Sequence, residues 1–103
     1  MAIYRIDIRD VRTREELHQK IAESLPLPDY YGRNLDALFD VLTESSEDRV
    51  IEFITDFPVE EALGRYYIAL RAMCGAAQSG NPSLRIVFLE EDDEDMPASD
   101  DMV

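Results

Sequence analysis

Apolar positions near the start of the chain alternate. Tyr4, Ile6 and Ile8 share one face of an extended segment, with the charged Arg5 and Asp7 between them. This period of two predicts a first strand over residues 3–8. The pattern then changes. Thr13 and Glu16 have the spacing of a capping box, and Leu17 and Ile21, four apart, begin the apolar stripe of a helix over 14–24. Pro26 and Pro28 end it. Residues 28–34 form a loop by composition, and Asn34 is a fitting N-cap for a second helix over 35–44. Residues 50–54 read as a second short strand. Pro58 opens a helical stretch, expected over 60–78, that carries Leu63, Tyr67, Leu70 and Cys74 on one face. Gly64 and Gly75 are the points where it can split or fray. Gly80, Asn81 and Pro82 make a turn, and residues 84–89 are a branched apolar run suited to a buried third strand.

Strands alternating with helices imply parallel pairing through right-handed crossovers. The expected fold class is therefore α/β, a small three-stranded parallel sheet packed with helices. A chain of 103 residues fits one such domain, expected over 1–89. Residues 90–103 carry eight acids and no base, and are expected to form an acidic, disordered tail.

Composition supports a packed core, with 46% hydrophobic residues. No apolar run approaches the roughly 18 residues of a membrane span. The N-terminal segment carries charge within a few residues and does not read as a signal peptide, so a cytoplasmic location is expected. Net charge is −13, and residues 1–89 alone hold 15 acids against 10 bases. An acidic domain is repelled by a phosphate backbone and is steered toward a basic protein. Direct nucleic-acid or membrane binding is therefore not expected. The tail can solubilise the protein, attract the same basic partner or imitate nucleic acid. Cys74 is the single cysteine, which rules out an intrachain disulfide, and it reads as a buried, inert thiol. One Cys and one His do not make a zinc site of nitrogen and sulfur ligands, and neither metal nor cofactor is expected.

The helix over 35–44 is the informative element. Leu35, Leu38 and Leu42 fall within about 60° of one another on a helical wheel and form the core stripe. Asp36, Asp40 and Thr43 lie on the opposite face, Phe39 borders the stripe and Glu44 flanks the acids. Like charges four residues apart repel, and no Lys or Arg lies within the helix to relieve them. By itself this pattern fits a solvated face near the positive end of the helix dipole, or a face kept for a partner. Tyr30 and Tyr31 in the preceding loop fit interface anchors, with one of the pair expected to tuck into the core. Asp36 and Asp40 could also serve as an acid–base pair. No nucleophile, glycine-rich phosphate loop or metal cluster accompanies them, and His18 reads as a surface or packing residue, so the chain is not expected to be an enzyme.

The run Leu25-Pro26-Leu27-Pro28-Asp29-Tyr30-Tyr31-Gly32-Arg33-Asn34-Leu35-Asp36-Ala37-Leu38-Phe39-Asp40-Val41-Leu42-Thr43 resembles the signature of the barstar family. Leu17-His18 and Glu52-Phe53 also fit, and the resemblance spans 3–89 with its strongest part over 17–43. It implies an intracellular inhibitor that is monomeric when free and forms a 1:1 complex with a basic, secreted, guanyl-preferring ribonuclease of the barnase type. The second helix and the loop before it would enter the nuclease active site, with carboxylates in place of RNA phosphate. Asp40 would be the central phosphate mimic, Asp36 would pair with an enzyme arginine, and Tyr30 would lie against the catalytic histidine. Asn34, Phe39, Thr43 and Glu44 complete the partner-binding set. The chain departs from the family pattern at Phe39, where Trp is common, and at Glu44-Ser45, where Gly-Trp is found in the best-known type. A further interface acid has no counterpart around Cys74, Gly75 and Ala76. An immunity protein against a different nuclease toxin, or a relative retargeted to another basic protein, is the alternative.

Overall fold

A computed structural model describes residues 1–29 and 31–91. Among them, three strands and four helices follow one another in the order β1 (Ala2–Asp7), α1 (Arg14–Ser24), α2 (Leu35–Glu44), β2 (Arg49–Thr55), α3 (Phe57–Leu63), α4 (Arg65–Gly80) and β3 (Leu84–Glu90). The strands form one sheet in the order β1-β2-β3, and both pairings are parallel. Ile6 sits opposite Phe53, and Phe53 opposite Phe88. The fold class is thus the α/β arrangement expected from the alternation of strand and helix.

Pleating divides the sheet residues. Ile6, Ile51, Phe53 and Ile86 are buried on the face that meets the helices, whereas Ile3 and Val87 on the other face are exposed. Ile8 lies one residue beyond β1, but its N–H donates to the Ile54 carbonyl at 2.9 Å and its side chain is fully buried. Phe53 and Phe88 stack at 4.9 Å between ring centres, and Tyr67 of α4 meets Phe88 edge-on. Leu17 and Ile21 of α1, Leu38 and Leu42 of α2, and Leu70 of α4 complete the core.

The helix ends follow local chemistry. Thr13 accepts a hydrogen bond from the Glu16 N–H at 3.1 Å, as the capping box requires. The reciprocal half differs, because the Glu16 carboxylate accepts from the N–H of Arg12, one residue earlier, at 2.7 Å. The single helix expected over 60–78 is two helices. Gly64 adopts φ +55°, a left-handed conformation that costs glycine little. Its N–H donates to the Glu60 carbonyl at 2.9 Å, closing α3, and its own carbonyl accepts from Tyr67 at 3.0 Å, opening α4. Gly75 does not break the helix. Glu90, assigned to the tail from sequence, is the last residue of β3, and the remainder of that segment from residue 92 lies outside the described residues. Among the described residues no helix is long and apolar enough to cross a membrane. Cys74 is buried, and burial pushes its thiol pKa up to about 12, so the sulfur stays protonated and unreactive.

Candidate functional site

Three anchors hold α2. At its start the Asn34 side chain accepts from the Ala37 N–H at 2.8 Å, the N-cap expected from sequence. Along its length Leu38 and Leu42 are buried, while Leu35 and Phe39 pack against the core with partial exposure. At its end the Leu42 carbonyl accepts from Arg49 Nη2 at 3.1 Å and from Asn81 Nδ2 at 2.9 Å. Asn81 also donates to the Ser45 carbonyl at 2.8 Å. Arg49 and Asn81 are both buried, so the first residue of β2 and the C-cap of α4 satisfy carbonyls that a helix C-terminus leaves open.

The outward face of this anchored helix is acidic. Asp36, Asp40 and Glu44 are exposed and lie four residues apart in one line, a ridge of about 12 Å at the helical rise. Among the described residues none of the three takes part in an ion pair. Repulsion within each neighbouring pair costs about 0.2–0.5 kcal/mol, and Glu44 also faces the negative end of the helix dipole. Thr43 is half-buried, and its hydroxyl donates to the Phe39 carbonyl of the same helix at 2.8 Å, leaving its oxygen as an acceptor. Asn34 is exposed at the helix entry. Tyr30 lies outside the described residues, so its expected role has no structural counterpart here.

A family model described as Barstar (barnase inhibitor) matches residues 1–90. The chain belongs to the Barstar family. That family is one of inhibitors, not enzymes. A protein of Bacillus subtilis (strain 168) named "Putative ribonuclease inhibitor YrdF" is 58% identical over 38 residues, 37% of this chain. The match covers 42% of that relative's length.

Near the N-terminus of α2 in this Barstar-family domain, a polar cluster centres on a buried histidine. His18 of α1 is 1% exposed. The Tyr31 hydroxyl is 2.6 Å from its Nδ1, and the Tyr66 hydroxyl of α4 is 2.6 Å from its Nε2. Burial lowers the imidazole pKa below its usual value; the Arg33 charge adds to the shift and Glu15 opposes it. Burial also raises the Tyr31 and Tyr66 pKa values. Of the readings open for His18, the packing role is the one the structure shows. Tyr31 is half-buried and packs against the core, matching the expectation that one of the tyrosine pair turns inward. The roles of Arg49 and Asn81 were not visible in the sequence. Asn81 reads there only as a turn residue, and a buried arginine at the start of a strand has no local signal. Beside the α2 N-terminus, a concavity of about 350 Å³ is lined by Arg14, Arg33, Asp36 and Tyr66, among others.

Proposed function

We propose that this chain inhibits a basic, secreted ribonuclease of the barnase type by placing the acidic face of α2 in the enzyme's active site. The observation that carries this reading is the ridge of Asp36, Asp40 and Glu44, exposed and without counter-charge among the described residues, on a helix fastened at both ends. Carboxylates are suited to bidentate pairing with arginine, and a nuclease that binds RNA presents cations where phosphate sits. Asp40 occupies the middle of the ridge and becomes the most desolvated of the three in a complex. Asp36 pairs beside it, and Phe39, Thr43 and Asn34 form the surrounding contacts. Membership of an inhibitor family and the name of the Bacillus subtilis relative support ribonuclease inhibition in general. The 1:1 complex, the free monomer, the cytoplasmic location and the division into an inhibitor domain and an acidic tail belong to the same proposal.

The acidic surface serves association as well as affinity, since steering speeds encounter with a basic partner. Glu44 favours the second reading, a partner other than a barnase-type enzyme, because it extends the ridge by one carboxylate beyond the family pattern. Titration of the purified chain into a barnase-type ribonuclease tests both. Loss of RNA cleavage at one equivalent supports the first reading. Undiminished cleavage, with inhibition of another basic nuclease, selects the second.

A further inference from the structure

Three elements meet at His18. α1 supplies the imidazole, the loop ahead of α2 supplies Tyr31, and α4 supplies Tyr66, with each hydroxyl 2.6 Å from a different ring nitrogen. From Tyr31 the backbone runs through Gly32 and Arg33 to the cap of α2, and local hydrogen bonds shape this segment. The Tyr31 N–H donates to the Pro28 carbonyl at 3.0 Å, Asn34 Nδ2 donates to the Gly32 carbonyl at 3.3 Å, and Asn34 Oδ1 caps the Ala37 N–H. Between Gly32 and Asn34, Arg33 holds φ +58°. A non-glycine residue keeps that conformation only where its surroundings impose it. The side chain of Tyr31 is the point at which this segment is tied to the rest of the fold through His18.

We propose that His18 is a positioning residue: by bridging Tyr31 and Tyr66 it sets the conformation of residues 31–34 and, through Asn34, the first turn of the acidic helix. The proposal rests on the reading of α2 as the inhibitory face, but its structural part stands apart from any partner. A neutral imidazole donates at one nitrogen and accepts at the other. One tyrosine therefore donates its proton to the ring, and the other accepts from it. A protonated ring donates at both nitrogens, and both hydroxyl oxygens can accept, so the cost of acid is the charge itself, placed on a ring that is almost fully buried and favouring openings that hydrate it. The surroundings disfavour that proton. The groups around His18 are Tyr31 and Arg33 from the loop, Tyr66 from α4, and Arg14 and Glu15 from α1, with Asp36 of α2 at the edge of the neighbouring concavity. The bridge is thus intact near neutral pH and is weakened by acid.

The test compares the full chain with His18→Gln, His18→Leu and Tyr66→Phe. Glutamine keeps one donor and one acceptor but takes no proton. Tyr66→Phe removes one hydroxyl and keeps the ring, so it remains informative if His18→Leu folds poorly. Amide hydrogen exchange is read at Tyr31 and Ala37, with Ile51 in the central strand as internal reference. At neutral pH the parent and His18→Gln should protect Tyr31 and Ala37 alike. His18→Leu and Tyr66→Phe should exchange there about tenfold faster or more, with Ile51 unchanged. After correction for intrinsic rates, lowering the pH to about 5 should speed the parent at these two amides and leave His18→Gln flat. Unchanged protection in both His18→Leu and Tyr66→Phe overturns the proposal, as does equal acid sensitivity in the parent and His18→Gln. A parallel titration with a barnase-type ribonuclease should show about tenfold weaker inhibition by His18→Leu and Tyr66→Phe. If the parent fails to inhibit, the barnase-type reading fails, while the exchange data still decide the positioning role.

Discussion

The outer face of α2 and the cluster beneath its entry differ in how they act. Asp36, Asp40 and Glu44 are exposed and have no ion-pair partner among the described residues, and their contribution is charge presented to something outside the molecule. His18, Tyr31 and Tyr66 are tied to one another, and their contribution is position. Truncating a carboxylate on the ridge removes a repulsion from the folded protein and an attraction from the complex. Truncating a member of the cluster, or of the Arg49–Asn81 anchor at the other end of α2, disturbs the fold first and binding second. Stability and affinity are therefore expected to separate on the ridge and to move together at the anchors.

The largest departure from parent behaviour is expected at Asp40. Asp40→Ala should weaken inhibition of the target nuclease by more than about 2 kcal/mol, because enzyme cations are left buried and unpaired. Its thermal midpoint should not fall, since the like-charge pair with Asp36 is relieved. An Asp40→Ala chain that binds as tightly as the parent would show that the ridge is not the contact surface. At the anchors, Asn81→Ala strips donors from the Leu42 and Ser45 carbonyls. Denaturant unfolding should record a loss of about 1–3 kcal/mol, with inhibition reduced as well. A fully stable Asn81→Ala variant with weakened inhibition would blur the distinction.

Acid separates the two regions further. His18 has a lowered pKa in the folded state, so the unfolded chain takes up the proton first as pH falls. Stability from this group is complete above the unfolded value of about 6.5 and is lost as pH drops toward the folded value, at no more than about 1.4 kcal/mol per pH unit. Glu60 works with the opposite sign, because burial and the neighbouring Glu90 raise its carboxyl pKa. Subtracting the His18→Gln stability profile from that of the parent isolates the imidazole, and a flat difference below neutral pH would contradict this assignment.

Smaller effects sharpen the comparison. Arg33→Gly should relieve the left-handed backbone and raise stability by about 0.5–1 kcal/mol in denaturant titration. Glu47 is exposed and lies off the ridge, so Glu47→Ala should change inhibition by no more than about 0.5 kcal/mol. A larger loss there would mean that general negative charge, rather than the ridge, drives binding.

The acidic ridge was legible in the sequence because it needs only helical spacing. Once residues 35–44 form a helix with Leu38 and Leu42 inward, Asp36 and Asp40 must face away. The Asn34 cap follows from equally local chemistry. The break between α3 and α4 was legible only as a choice between Gly64 and Gly75, since composition does not say which glycine must take a positive φ. His18 looked unremarkable for a related reason. Its partners lie 13 and 48 residues away, and no local pattern pairs an imidazole with hydroxyls at such separations.

By itself the sequence determined the alternation of strand and helix, the buried stripe of α2, its N-cap and the unrelieved acids on its outer face. These depend on periods and caps that span a few residues. Only the tertiary structure decided that Arg49 and Asn81 close the far end of α2, that Tyr31 turns inward and that His18 joins it to Tyr66. Those contacts exist only where the sheet and helix packing bring distant segments within hydrogen-bonding distance, and burial there makes each unmet polar group costly enough to select one arrangement.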